Sequence, residues 1–145
     1  MRSTKLVLLA LVLCLAFSSS ALAKVHITFW HAMGAELGEA TEYLTQKFNE
    51  IQDEIFVEAI YQGRYSDLNT KLVASFSAGT SPTIAQVYEN WTDAYYRYGV
   101  IDALEDYMDF TEEERNDYIE VFRHMNTWDG KLYTIPFNKS NWVMY

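Results

Sequence analysis

Two periods alternate along residues 25–99. Val25-His26-Ile27-Thr28-Phe29-Trp30 is rich in β-branched and aromatic residues and reads as a first strand. Gly34 and Gly38 mark a turn. Leu37, Ala40, Leu44, Phe48 and Ile51 then recur every three or four residues, one face of an amphipathic helix expected to pack on the core. IFVEAIY, residues 55–61, is a second strand ended by Gly63. Ser66 is expected to cap the next helix by accepting a backbone N–H bond. That helix carries Leu68, Leu72 and Phe76 on one face and stops at Gly79, with Pro82 beyond. TIAQVY, residues 83–88, is a third strand. Trp91, Ala94, Tyr95 and Tyr98 form a third helical face, ending at Gly99.

Three β-α units in succession predict an α/β domain, with helices packed on a parallel sheet. The rhythm changes after residue 100. Thr111 and Glu114 form a capping box ahead of one charged helix, TEEERNDYIEVF. Asp129-Gly130 between two short strand-like runs is a strong hairpin signal, with LYTIPF, residues 132–137, as its second arm. Asn141-Trp142-Val143-Met144-Tyr145 reads as a further strand. A chain stopping there is expected to be the opening part of a longer one.

Residues 1–23 are of another kind. Arg2 and Lys5 precede an unbroken apolar run from Leu6 to Phe17, and Ala21-Leu22-Ala23 is a small-x-small pattern. That is the layout of a cleavable secretory signal, too short for a membrane span of about 20 apolar residues. Cys14 follows Leu11-Val12-Leu13, which lacks the small residue that a lipoprotein cysteine requires. The expected organisation is therefore a signal peptide over 1–23 and a mature segment over 24–145, exported to the periplasm.

Composition fits a packed domain: of 145 residues, 50% are apolar and 16% aromatic, so disorder is excluded. With 20 Asp and Glu against 11 Lys and Arg, the formal charge is −9. The signal carries two cations and no anion, so its removal takes the charge to −11. This excludes nucleic acid as a partner, since phosphate neutralisation needs clustered cations. The only cysteine leaves with the signal, so the mature segment must hold by core packing alone.

In open α/β sheets, ligands bind beyond the carboxyl ends of the strands. Trp30-His31 follow the first strand, Gln62-Gly63-Arg64-Tyr65 the second and Tyr88-Glu89-Asn90-Trp91 the third. Asn138, Lys139, Ser140 and Trp142 follow the hairpin. These four clusters are expected to converge on one rim. Aromatic faces stack on the C–H faces of sugars, and Glu, Asn, Ser and Tyr pair their hydroxyls. Taken singly, each aromatic is explained equally well by packing, and Glu89 by a helix N-terminus. Arg64 and Lys139 are the nearby cations, and both read as surface charges. No phosphate-binding glycine loop and no nucleophile elbow occurs, and His26, His31 and His124 lack metal-ligand spacing. No metal, cofactor or catalytic residue is expected, and the chain is not read as an enzyme.

The stretch Ile27-Thr28-Phe29-Trp30-His31-Ala32-Met33-Gly34-Ala35-Glu36-Leu37-Gly38 resembles the start of extracellular solute-binding proteins of bacterial ABC importers. The family 1 branch, which takes up sugars and glycerol phosphates, is the most similar. Gln46-Lys47-Phe48-Asn49, Tyr61-Gln62-Gly63-Arg64-Tyr65, residues 72–82, Gln86-Val87-Tyr88-Glu89 and residues 132–140 match in order. The resemblance implies a two-lobed periplasmic-binding-protein-like fold of class II, closing by a hinge on its ligand. Residues 24–145 would supply mainly the first lobe. It implies a monomer that delivers a small-molecule solute, a glycerol phosphate or a sugar, to the membrane permease of an importer. Carried over position by position, ligand contacts fall on Tyr65, Glu89 and Ser140, with Trp30 and His31 beside them. A neutral saccharide is the alternative ligand. A sensor receptor or a glycan-active enzyme on the same fold is the alternative class.

Overall fold

The structure is a computed structural model that describes residues 24–138. Residues 1–23 and 139–145 lie outside it, and with them the signal segment, Lys139, Ser140 and the strand expected at 141–145. Three parallel strands form the main sheet: β1 (Val25–His31), β2 (Ile55–Tyr61) and β3 (Ile84–Ala85), in the order β2-β1-β3. β1 pairs with β2 over its whole length, Val25 opposite Ile55 through His31 opposite Tyr61. Its pairing with β3 is confined to Phe29–Ile84 and Trp30–Ala85. The third strand is thus much shorter than the expected 83–88. Gln86 nevertheless continues along β1, its N–H donating to the Trp30 carbonyl at 2.9 Å.

Helices α1 (Ala35–Ile51) and α2 (Tyr65–Ala78) make the crossovers, and α3 (Glu89–Arg97) follows β3. Leu68 and Leu72 of α2 and Tyr95 of α3 form the buried core, with Trp30, Ala85, Val87, Trp91 and Ile101 packed around them. The Tyr95 hydroxyl hydrogen-bonds Asn69, so the polar end of this core residue is satisfied. The cap of α2 differs from expectation. Ser66 lies inside the helix, and the carboxylate of Asp67 accepts the Arg64 N–H instead, at 2.9 Å. Gly79 ends α2 in the left-handed region, at φ 66°, where a β-carbon is disfavoured.

The rotation of α1 is the main departure from the sequence pattern. Its apolar stripe does not face the sheet: Leu44 is 65% exposed and Ile51 78%, and Leu37 and Phe48 are exposed as well. The inward stripe is Gly38, Thr41, Thr45 and Asn49, with Gln52 just beyond the helix. Polar bonds to the strand backbone set this rotation. The Asn49 amide accepts the Val57 N–H and donates to the Val57 carbonyl, both at 2.8 Å. The Gln52 oxygen accepts the N–H groups of Glu54 and Ile55, and its nitrogen donates to the Ile55 carbonyl at 2.7 Å. Asn49 thereby closes part of the free edge of β2, where exposed backbone groups invite pairing with other chains. At Gly38 the Met33 carbonyl comes so close that a β-carbon would sit 2.9 Å from it.

Beyond α3 a 3₁₀ turn (Leu104–Asp106) leads to α4 (Glu112–Asp117) and α5 (Glu120–His124). The capping box is present, with the Thr111 hydroxyl accepting the Glu114 N–H and the Glu114 carboxylate accepting the Thr111 N–H. The one charged helix expected here is two, because Tyr118 is extended and Ile119, at ψ 124°, is not helical. Arg123 bonds the Arg115 carbonyl that the break leaves free. Strands β4 (Thr127–Trp128) and β5 (Lys131–Leu132) make the expected hairpin, much shorter than the LYTIPF arm foreseen. Asp129 and Gly130 both have positive φ, the geometry of the turn that Asp-Gly favours. The hairpin leans on α3 through Trp128, whose indole N–H donates to Asp93 at 3.1 Å and whose ring stacks on Tyr96.

If Asn49 holds α1 to the sheet, Asn49→Ala lowers unfolding stability by about 1–3 kcal/mol, the cost of leaving partly buried backbone groups unpaired. Asn49→Asp, which can still accept but not donate, recovers part of that loss. Urea denaturation midpoints near neutral pH check both, and an unchanged midpoint for the alanine variant refutes the assignment.

Candidate functional site

The carboxyl ends of the parallel strands open onto an aromatic cluster. Tyr65 is the first residue of α2, Tyr88 precedes α3, and Trp91 lies in the first turn of α3. Tyr65 and Tyr88 stack with ring centroids 4.4 Å apart, tilted by 27°. Trp91 meets Tyr88 edge-on at 4.9 Å and Tyr65 at 6.3 Å. Tyr88 is exposed, while Tyr65, Glu89 and Trp91 are half-buried. Glu89 opens α3, where the helix dipole favours its negative charge.

Gln86 ties this cluster to the sheet. Its side chain is buried, with the residue 7% exposed. The amide oxygen accepts the Ala32 N–H at 3.0 Å, just past β1. The amide nitrogen donates to the Tyr65 hydroxyl oxygen at 2.9 Å. Burial pushes the Tyr65 phenol above its ordinary value, and the bonds from Asn138 and Gln86 work in the opposite sense. The amide thus joins the ends of β1 and β3 to the start of α2. Sequence reasoning placed Gln86 only inside a matching motif. The available signal was a lone amide in the apolar run Ile84-Ala85-Gln86-Val87, which must find partners if it is buried.

The five expected contact residues are placed differently from one another. Tyr65 and Glu89 lie at the carboxyl ends of the strands, within reach of the Tyr88–Trp91 platform. Trp30 packs against the Leu68–Leu72–Tyr95 core. His31 follows it in the strand, so its side chain points to the opposite face of the sheet. There it is 2% exposed, with Phe29 and Tyr61 as its ring neighbours. Ser140 lies outside the described residues. Arg64 is exposed, and its backbone N–H serves the α2 cap.

His31 carries a buried imbalance. Among the described residues its Nδ1 has no hydrogen-bond partner. Burial holds the imidazole below its ordinary value, while the Glu42 charge and the Met33 carbonyl act to raise it. Folding therefore favours neutral His31. Its stabilising contribution is complete above the unfolded value near 6.5 and is lost as pH falls through the lower folded value. Wild-type stability should accordingly drop more between about pH 7 and pH 5 than that of His31→Asn. Equal drops in denaturation midpoint overturn this.

Residues 43–145 match a family described as bacterial extracellular solute-binding protein. Over 142 residues the chain is 32% identical to the sn-glycerol-3-phosphate-binding periplasmic protein of Salmonella typhimurium, covering 94% of this chain and 32% of that one. It is 30% identical over 143 residues to the protein of the same name from Yersinia pestis, again covering 94% and 32%. The chain spans about a third of the length of these relatives. Among solved structures, a family 1 extracellular solute-binding protein from Alicyclobacillus acidocaldarius superposes with a TM-score of 0.69 at 23% identity, covering 78% of this chain and 28% of that one. The galacto-N-biose-/lacto-N-biose I-binding protein of the ABC transporter from Bifidobacterium longum gives 0.65 at 25% identity, covering 79% and 28%. By its sequence match and its α/β layers, the chain belongs to the bacterial extracellular solute-binding protein family.

Proposed function

We propose that the whole protein is the solute-capturing component of an ABC importer, with sn-glycerol 3-phosphate or a glycerophosphodiester as its ligand. The observation that carries this reading is the Tyr65–Tyr88–Trp91 platform with Glu89 beside it, at the carboxyl ends of parallel strands. The glycerol backbone offers C–H faces to the rings and hydroxyls to Glu89, in charge-assisted hydrogen bonds. The names of the relatives that are about a third identical to this chain supply the phosphate. Tyr65, Glu89 and Ser140 are the ligand contacts in this reading, with Trp30 and His31 supporting them from the core and the far face of the sheet. Residues 1–23 direct export to the periplasm, and a membrane permease receives the solute. The role is capture and release without chemistry. A second lobe, formed by chain outside residues 24–145, closes over the ligand by hinge motion.

A second reading, a neutral saccharide, is favoured by the same aromatic platform and by the sugar-binding neighbour from Bifidobacterium longum. Titration calorimetry of the full-length protein separates the two. The first reading expects saturable binding of sn-glycerol 3-phosphate and none of maltotriose, and the reverse result establishes the second. In the full-length protein Glu89→Ala should weaken binding by about 1–3 kcal/mol, because ligand hydroxyls lose their acceptor. Unchanged affinity removes Glu89 from the site.

A further inference from the structure

The Gln86 amide has only one way to face. Its oxygen sits 3.0 Å from the Ala32 backbone nitrogen, and a backbone N–H can only donate. An amide turned the other way would set two donors against each other there. The amide nitrogen must therefore point at Tyr65, and it donates to the phenol oxygen at 2.9 Å. With the amide N–H arriving at the oxygen, the phenol's own O–H is left to donate elsewhere. Gln86 is buried and held at both ends of its amide, so this polarity is built in before any ligand arrives.

We propose that Gln86 is a positioning residue that fixes Tyr65 as a hydrogen-bond donor toward the ligand, so that the site selects solutes presenting an anionic acceptor oxygen, such as that of a phosphate monoester or diester. The inference rests on the reading of Tyr65 as a ligand contact. It also gives an acidic chain a way to hold an anion. A short O–H bond to a phosphate oxygen acts locally, whereas a formal charge of −9 over the chain gives no long-range attraction.

The variant that tests polarity rather than packing is Gln86→Glu. The carboxylate keeps the shape and can still accept the Ala32 N–H, but it accepts from Tyr65 where the amide donated. The Tyr65 proton then turns inward, and the ligand meets lone pairs. In the full-length protein, titration with sn-glycerol 3-phosphate should show affinity falling about tenfold or more in Gln86→Glu. Tyr65→Phe should lose a comparable factor, and adding Gln86→Glu to Tyr65→Phe should cost nothing further. If the loss persists in the Tyr65→Phe background, the new charge simply repels the ligand and the proposal is overturned. Wild-type affinity in Gln86→Glu overturns it as well. A ligand-free readout separates this proposal from the solute reading. The Tyr65 phenol, followed as the tyrosinate absorbance that Tyr65→Phe removes, should titrate at higher pH in Gln86→Glu, because it now donates to an anion. An unchanged titration refutes the polarity even where phosphate binds. A shifted titration in a protein that binds no glycerol phosphate upholds the polarity and refutes the ligand.

Discussion

The extended backbone of β1, hydrogen-bonded on both sides, is the constraint on which the rest of the structure depends. Seven consecutive residues pair in parallel with β2, and two pair with β3 on the other side. A parallel pair cannot be closed by a tight turn, so each partner must return through a crossover, and the crossovers here are α1 and α2. Because β1 is central, the carboxyl ends of all three strands emerge together. Ala32, Tyr65 and Gln86 then lie close enough for one amide to connect them.

The two faces of this sheet are covered by different physics. On one, Leu68, Leu72 and Tyr95 bury apolar surface against Trp30, Ala85 and Val87, so the hydrophobic effect fixes α2 and α3. On the other, α1 is fixed by side-chain amides bonded to strand backbone, with Thr41 and Thr45 turned inward. Their hydroxyls are satisfied within the helix, on the carbonyls of Leu37 and Thr41. The Leu37–Leu44–Phe48–Ile51 stripe consequently remains exposed among the described residues.

The site combines a broad apolar platform with a few oriented polar groups. The stacked tyrosines and Trp91 supply surface, and Glu89 and the Tyr65 hydroxyl supply direction. The Tyr65 hydroxyl owes its orientation to the buried Gln86 amide. In the proposed site Gln86 lies beneath Tyr65 and bonds its hydroxyl.

Much of this was legible along the chain. Local rules of period, turn chemistry and capping specified β1, β2, the first three helices, the Gly79 stop, the Thr111–Glu114 box and the Asp129–Gly130 turn, because each depends on neighbours within a few residues. The family was legible as well, from ordered motifs that the comparisons support. The apolar stripe of α1 misled, because period reveals that a helix has a face but not which partner fixes its rotation. Asn49 and Gln52 decided that through bonds to Val57 and Ile55, on the strand that follows the helix. Adjacent Trp30 and His31 looked alike in the sequence, yet the pleat sent one into the core of α2 and α3 and the other to the opposite face. Local pattern along the chain specified most of the elements and the kind of residue at each strand end, but not the length of β3 or the break after Asp117. Only the tertiary structure decided that a buried glutamine orients a tyrosine 21 positions away, because that pairing exists only when the strands lie side by side.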